Sequence, residues 1–247
     1  MLFRSNMANL EPLIQSIPVA PLKLASLEGC RTLADQVNNY LVSFRHESPT
    51  NVGQDDSLQG YCADSYLLEC ECPRFGSGEG KGVLKESVRG CDLFIMVDVT
   101  NYSLTYRVNG YENHMSPDNH YQDLKRIISA ADGKARRINV IMPFLYEGRQ
   151  HKRSKRESLD CALMLQELVD MGVSNILTFD AHDPRVSNSI PLHGFDSFMP
   201  TYQFLKALVN SVPDFVIDND HLMIISPDEG AMHRAVYFSN VLGVDMG

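Results

Sequence analysis

Two stretches of sequence decide the fold: Ile138-Asn-Val-Ile-Met-Pro-Phe144 and Ser174-Asn-Ile-Leu-Thr-Phe-Asp180. Each is a short apolar run, which is typical of a strand that is buried on both faces. Between them, residues 158–171 place apolar side chains at helical spacing, and Gly172 suits the end of that helix. The strand, helix and strand predict a βαβ unit, which requires parallel strands and a right-handed crossover.

The same α/β pattern extends to both sides of this unit. Apolar runs predict further buried strands at residues 21–25, 92–99 and 221–226. Helical spacing predicts further helices at residues 29–42, 121–131, 202–209 and 231–242, the last of them stopped by Gly243. Pro213 marks a break and a domain boundary, and we expect the chain to end inside a second α/β unit.

Composition limits the classes of function. Of 247 residues, 44% are hydrophobic and 21% are charged, which are globular proportions. The net charge is 22 − 31 = −9, which disfavours general binding to nucleic acid or to an anionic membrane. No apolar run approaches the roughly 18 residues of a membrane span, and no secretory signal is recognised. We therefore expect a cytoplasmic protein whose six cysteines are reduced.

A basic stretch follows the first of the two quoted strands. Arg149-Gln-His-Lys-Arg-Ser-Lys-Arg156 contains five basic residues and no carboxylate. In open parallel sheets, ligands bind outside the carboxyl ends of the strands, where this loop begins. Guanidinium and ammonium groups suit phosphate oxygens, so the loop indicates an anion site. A solvated basic loop and a weak nucleic-acid patch remain alternatives.

An acidic corner, Asp180-Ala-His182-Asp183, follows the second strand at the same edge. A carboxylate at the end of a buried strand is costly unless it is paired or bound to a cation. Asp180 and His182 could approach a divalent ion or its water, and Mg²⁺ is commonly shared with substrate phosphates. In the alternative interpretation, Asp180 caps a turn and His182 packs.

Two weaker patterns complete the candidate sites. Ser226-Pro-Asp-Glu-Gly230 precedes a predicted helix N-terminus, where Asp228 could bind sugar hydroxyls or a hydrated metal. Phe75-Gly-Ser-Gly-Glu79 could stack against a base and hydrogen-bond to it. This glycine-rich loop lacks the Gly-Lys-Ser/Thr ending of a Walker loop.

At these residues the sequence resembles the ribose-phosphate pyrophosphokinase family, also called phosphoribosyl diphosphate synthetases. The matching motifs occur in the family's order: Arg74-Phe-Gly-Ser-Gly-Glu79, Glu86-Ser-Val-Arg-Gly90, Arg149-Gln150 with Lys152, Arg153 and Lys155, Thr178-Phe-Asp-Ala-His182, and Ile225-Ser-Pro-Asp-Glu-Gly230. The resemblance implies a parallel-sheet, phosphoribosyltransferase-like N-terminal domain at 1–210, with insertions at 46–66 and 104–118. Residues 211–247 would be the incomplete start of a second, similar domain.

The resemblance also implies a reaction: Mg²⁺-dependent transfer of the diphosphoryl group of ATP to the anomeric hydroxyl of ribose 5-phosphate. The products would be AMP and 5-phosphoribosyl 1-diphosphate. The implied roles are adenine contact for Phe75, Ser77 and Glu79; ATP contact for Arg149 and Gln150; charge stabilisation for Lys152, Arg153 and Lys155; magnesium binding for Asp180 and His182; ribose 5-phosphate binding for Asp228; and a regulatory phosphate or ADP site for Ser87 and Arg89. A homo-oligomer is also implied.

The sequence departs from the family pattern within the basic loop, whose exit is also shorter and lacks the usual proline, and downstream of it. His151 stands where the family usually has Asp, and Ser154 replaces another frequent acidic position. The later acidic pair followed by Thr-Gly, which holds ribose 5-phosphate in the family, is not found, so we expect impaired turnover. The alternatives are a non-catalytic regulatory subunit of an active synthetase and an anion- or nucleic-acid-binding module.

Overall fold

The structure is a computed structural model and describes residues 19–47 and 62–247. The strands of the described residues are β1 (Leu22–Ser26), β2 (Leu67–Leu68), β3 (Cys70–Glu71), β4 (Val83–Leu84), β5 (Asp92–Met96), β6 (Thr105–Val108), β7 (Tyr111–His114), β8 (Arg137–Ile141), β9 (Val173–Phe179) and β10 (Gly194–Phe198). The α-helices are α1 (Arg31–Glu47), α2 (Pro117–Ala131), α3 (Asp160–Asp170), α4 (Thr201–Ser211) and α5 (Met232–Leu242). None of these helices has the length and apolar character needed to cross a membrane.

A six-stranded sheet with the order β10-β9-β8-β5-β1-β2 organises the fold. All five pairs of neighbouring strands are parallel. Strands β8 and β9 are neighbours joined through α3, so the predicted βαβ unit is confirmed. The predicted α/β class with a parallel sheet is confirmed as well.

Helices cover both faces of the central strands. Leu93 and Ile95 of β5 belong to one buried cluster, together with the apolar faces of α2 and α3. Leu24 of β1 and Met96 of β5 lie in a second cluster with Ala34 of α1. Because successive side chains of a strand point to opposite faces, the two clusters lie on opposite sides of the sheet. Burial on both faces explains why these strands are continuous apolar runs in the sequence.

A chain of polar side chains crosses three strands of the sheet. The carboxylate of Asp92 accepts hydrogen bonds from Arg137 Nε at 2.9 Å and from Asn139 Nδ2 at 2.7 Å. Asn139 Oδ1 in turn accepts from Asn175 Nδ2 at 2.6 Å. Since Asp92 and Asn139 are buried, each needs these partners. These hydrogen-bonded side chains therefore fix the register of β5, β8 and β9.

The polar stretch at 104–118, predicted as an insertion, contains the antiparallel hairpin of β6 and β7. Ser116 caps the following helix α2, because its side chain accepts a hydrogen bond from the Asn119 N–H at 3.2 Å. The other predicted insertion, 46–66, falls mostly on residues 48–61, which lie outside the described residues. Strand β10 at the edge of the sheet was not predicted.

The chain divides into two compact units, one that ends at Phe198 and one that comprises Met199–Gly247. This division groups α4 with the second unit, whereas the sequence analysis set the domain boundary after residue 210. The assignment of the units as an ATP-binding domain and the start of a second one stays a prediction.

The predicted buried strand at 221–226 is wrong. In the second unit this stretch pairs only through a single parallel bridge between Ile224 and Met246. The Ile224 N–H donates to the Asp245 carbonyl at 3.0 Å, and the Gly247 N–H donates back to the Ile224 carbonyl at 2.9 Å. An apolar run becomes a buried strand only when neighbouring strands and helices cover it. Here the Ile225 side chain is 70% exposed.

Candidate functional site

The carboxyl ends of β8 and β9 bring two loops to one edge of the sheet. The loop after β8 contains the basic stretch, and the corner after β9 contains Asp180, His182 and Asp183. Asp180 has a φ of +43°, a left-handed conformation that Asp tolerates better than most residues. Its backbone N–H donates to the Phe198 carbonyl at 2.9 Å, so the unpredicted strand β10 holds this corner in place.

His151 joins the basic loop to the acidic corner. Its Nε2 lies 3.5 Å from Oδ2 of Asp183, and its ring centroid lies 5.2 Å from that of His182. The side chains of His151 and Asp183 are only 13% and 11% exposed. His151 directly precedes Lys152, so the structure brings the basic stretch next to the acidic corner, as the sequence predicts.

The loop beyond His151 presents four exposed cations: Lys152, Arg153, Lys155 and Arg156. No ion pair is found for any of them within the described part of the chain. The nearby carboxylate of Glu157 instead accepts from the Ser154 hydroxyl at 3.2 Å and from the Ser154 N–H at 3.2 Å. Unpaired cations at a strand's carboxyl edge are suited to an anionic ligand.

Two other loop residues predicted to contact ATP have partners inside the protein. The Gln150 side-chain amide donates to the Ser158 carbonyl at 2.7 Å and to the Lys152 carbonyl at 3.4 Å. These bonds connect the two ends of the loop, so Gln150 shapes it. The Arg149 guanidinium lies 5.9 Å from the centroid of the Phe144 ring, at a distance typical of a cation–π contact.

Asp183 is committed to Arg185. The guanidinium donates to its carboxylate through Nε at 2.9 Å and Nη2 at 2.5 Å, and the Arg185 N–H donates at 2.9 Å. These bonds hold the pKa of Asp183 well below its usual range. Asp183 therefore serves as an anchor for His151 and Arg185, and the predicted cation ligands of this corner are Asp180 and His182.

Asp180 and His182 offer one carboxylate and one imidazole to a cation. Across residues 19–47 and 62–247, no group of three or more His, Cys, Asp or Glu side chains gathers in a metal-binding arrangement. Mg²⁺ prefers oxygen ligands, keeps several waters and is often bound by one or two carboxylates together with substrate phosphates. This donor set fits an ion that a phosphate ligand brings with it, and does not fit a metal held by the protein alone.

The predicted adenine-contacting segment is a tight loop of residues 74–80. The Phe75 N–H donates to the Glu79 carbonyl at 2.7 Å, and the Gly78 N–H donates to the Phe75 carbonyl at 2.9 Å. The Ser77 hydroxyl donates to the Glu79 carboxylate at 2.8 Å. The Phe75 ring is 54% exposed, which leaves it free to stack against a planar ligand. We call residues 74–80 the Phe75 loop.

A buried ion network anchors the Phe75 loop to α2. Arg74 donates to both carboxylate oxygens of Asp123 at 2.5 and 2.8 Å, and Arg126 donates to the same carboxylate at 2.6 Å. The Arg74 and Asp123 side chains are 9% and 6% exposed. Asp123 is not among the residues predicted from the sequence. The only signal was a carboxylate within the apolar spacing of α2, and its partner is 49 residues away.

The remaining predicted residues lie apart from this edge or in the other unit. Ser87 and Arg89 are both exposed, and the Ser87 hydroxyl accepts from the Arg89 N–H at 3.3 Å. In the second unit, Asp228 Oδ1 accepts from the Ala231 N–H at 2.8 Å, just before α5. Asp228 thus closes the turn that leads into the helix.

Comparisons with known proteins agree on one family. Residues 22–172 match the family model described as the N-terminal domain of ribose phosphate pyrophosphokinase. Ribose-phosphate pyrophosphokinase of Thermosipho africanus is 31% identical over 72% of this chain and 51% of its own length. That of Corynebacterium ammoniagenes is 27% identical over 87% of this chain and 55% of its own length.

A solved structure shows the same fold. The crystal structure of phosphoribosylpyrophosphate synthetase from Mycobacterium smegmatis superposes with a TM-score of 0.68 at 22% identity. The match covers 91% of this chain and 62% of that one. The chain spans about half the length of the curated relatives it matches.

Proposed function

Because the chain belongs to the ribose phosphate pyrophosphokinase family, we propose that it contributes to the transfer of a diphosphoryl group from ATP to ribose 5-phosphate. The products would be AMP and 5-phosphoribosyl 1-diphosphate. The observation that carries the proposal is the contact between His151 and Asp183, which brings the start of the basic loop next to the corner that contains Asp180 and His182. A polyphosphate with its magnesium ion needs both kinds of group at one place.

The loop cations would act on the charge of the reaction. The anomeric hydroxyl of ribose 5-phosphate attacks the β-phosphorus of ATP, and the bond from that phosphorus to the AMP oxygen breaks. Negative charge then grows on the phosphate oxygens and on the leaving AMP. We assign stabilisation of this charge to Lys152, Arg153 and Lys155, because positioned cations lower the barrier of such transfers.

Asp180 and His182 would orient the magnesium ion of the nucleotide, directly or through water. The ion would neutralise phosphate charge when bound. Asp183 would keep His151 and the start of the loop in place, since its own carboxylate is bound to Arg185.

The other contacts follow from the family motifs. Phe75 would stack against adenine while Ser77 and Glu79 hydrogen-bond to it, and Arg149 and Gln150 would contact ATP. Asp228 would face ribose 5-phosphate. Ser87 and Arg89 would bind a regulatory phosphate or ADP, and the protein would be a cytoplasmic homo-oligomer.

The test replaces the loop cations in the longest chain that the gene encodes. We expect Lys152→Ala with Arg153→Ala to lower AMP release from ATP, ribose 5-phosphate and Mg²⁺ by about 10²-fold or more. Nucleotide affinity should fall much less. Lys206→Ala removes an exposed lysine from α4 and serves as the control. A large loss of nucleotide affinity with unchanged turnover would contradict the assigned role.

A non-catalytic relative that regulates an active synthetase is the second candidate. It is favoured by His151, which stands where the family usually has Asp and is engaged with Asp183. That protein would release no AMP itself but would change the rate of an active synthetase when mixed with it.

A nucleic-acid-binding module is the third candidate. In that case an oligonucleotide should slow hydrogen exchange of the basic loop. Slower exchange with ATP and unchanged exchange with an oligonucleotide would exclude this hypothesis.

A further inference from the structure

The hairpin of β6 and β7 packs against the Phe75 loop. The Arg74 guanidinium lies over the Tyr106 ring, 5.3 Å from its centroid. A Cβ atom built on Gly78 would lie 3.0 Å from Cγ2 of Val108 and 4.0 Å from Cε2 of Tyr106. Gly78 also has a φ of +92°, which favours glycine. The first residue of the Phe75 loop and its turn residue Gly78 therefore both lie against β6, which belongs to the segment predicted as an insertion.

Arg74 is held from two sides. The Asp123 carboxylate on α2 accepts two of its hydrogen bonds, and the Tyr106 ring on β6 covers its guanidinium. The negative face of an aromatic ring attracts a guanidinium, with a larger effect where the cation is desolvated. The Arg74 side chain is only 9% exposed, so its guanidinium is largely desolvated and the larger effect applies.

The geometry of the Phe75 loop transmits the position of Arg74 to Phe75. Arg74 and Gly80 form an antiparallel bridge that closes the loop, and Phe75 is the next residue after Arg74. Only residues 75–79 lie between the two bridge residues, and their backbone is internally bonded. A shift of Arg74 therefore shifts the exposed ring that would meet a base.

Open space adjoins the contact between the hairpin and the loop. A cavity of about 400 Å³ lies between β6 and the segments at 27–31 and 70–74. Tyr106 and Val108 of β6 both approach the loop. Substitution of Tyr106 should remove the ring that covers the Arg74 guanidinium.

We propose that the hairpin braces the Phe75 loop and that Tyr106 is a positioning residue for the nucleotide base, acting through Arg74. The role in nucleotide binding rests on the proposed function. The mechanical role of the brace does not, since it concerns only contacts between β6 and the loop.

The test compares three single substitutions. Tyr106→Ala removes the ring beneath Arg74, and Tyr106→Phe keeps the ring. Tyr111→Ala removes a ring from the same hairpin that is 77% exposed and serves as the matched control. Hydrogen exchange of the peptide spanning residues 74–80 reports on the loop directly. Its amides include those of Phe75 and Gly78, which are bonded within the loop.

We expect Tyr106→Ala to speed exchange in this peptide by about fivefold, the size of a cation–π contact of roughly 1 kcal/mol. Tyr106→Phe and Tyr111→Ala should exchange like the parent protein. Unchanged exchange in Tyr106→Ala would overturn the brace, and equal acceleration in Tyr111→Ala would do the same, because general loosening of the hairpin would then explain the effect.

Kinetics of the longest chain that the gene encodes then test the effect on the nucleotide. In Tyr106→Ala the KM for ATP should rise about fivefold, while kcat stays within about twofold of the parent value. In Tyr106→Phe the KM for ATP should equal that of the parent protein. A fall in kcat with unchanged KM would overturn the positioning role. If the parent protein binds no ATP, the proposed function is refuted. Faster exchange in Tyr106→Ala than in that parent would then support the brace alone.

Discussion

Replacing Asp123 by alanine gives the sharpest test of the buried ion network that anchors the Phe75 loop. The Asp123 carboxylate pairs with both Arg74 and Arg126, and its side chain is 6% exposed. Alanine at this position leaves the Arg74 guanidinium, itself 9% exposed, as a buried charge beside Tyr106. Arg126 is 22% exposed and can recover part of its hydration.

The expected loss of stability follows from this burial. Removing one partner of a buried ion pair destabilises a protein by about 3–5 kcal/mol, because the remaining charge is uncompensated. Glu71→Ala breaks the ion pair between Glu71 and Lys85, whose side chains are 44% and 40% exposed. An exposed pair contributes about 0–1 kcal/mol. Asp123→Ala should therefore cost at least about 2 kcal/mol more than Glu71→Ala.

Urea unfolding followed by far-ultraviolet circular dichroism measures both losses, since the chain has no tryptophan to serve as a fluorescence probe. The double variant Asp123→Leu with Arg74→Met removes both charges and should recover most of the loss, because apolar replacement of a buried pair is often neutral. If Asp123→Ala destabilises no more than Glu71→Ala, the network does not hold a desolvated charge and the reasoning fails.

Two further predictions concern the sheet and the stem of the basic loop. Gly194→Ala would place a Cβ 2.0 Å from Oδ1 of Asn175, so we expect the free energy of unfolding in urea to fall by about 1–3 kcal/mol. In a double-mutant cycle, Asn175→Ala should largely cancel the cost of this clash. Additive losses in the two variants would contradict the clash. Burial, followed by repulsion from Asp160 and Asp118, raises the pKa of Glu147. Its charged form is disfavoured in the folded state, so this penalty is absent below its unfolded pKa and grows as pH rises. Glu147→Gln should thus raise the melting temperature at pH 7 but not at pH 3, and an equal gain at both values would point to another cause.

The central part of the fold could be predicted because local pattern and tertiary environment agree there. The apolar runs that became β5 and β8 are buried on both faces, and α3 has a clear helical period. Strand β10 could not be predicted in this way. Its sequence Gly-Phe-Asp-Ser-Phe has no continuous apolar run, because an edge strand is only half-buried. The strand prediction at 221–226 was wrong for the opposite reason. The stretch is apolar, but no neighbouring strands and helices of the described residues cover it.

The candidate site also has features that could be predicted from local sequence and features that could not. The meeting of the basic loop and the acidic corner could be predicted, because parallel strands deliver their following loops to one edge. The partners inside the site could not. The engagement of His151 with Asp183, the loop-closing bonds of Gln150 and the pairing of Arg74 with Asp123 depend on how distant elements pack.

The unpaired cations of the basic loop have a consequence for kinetics. The chain carries a net charge of −9, so a polyanion in solution is repelled by most of its surface. Lys152, Arg153, Lys155 and Arg156 form an exposed region of opposite sign and would draw an incoming polyanion towards one edge of the sheet. Such long-range guidance is screened over a Debye length of about 8 Å at physiological ionic strength. Added salt should therefore slow capture of the ligand more strongly than it hastens its escape.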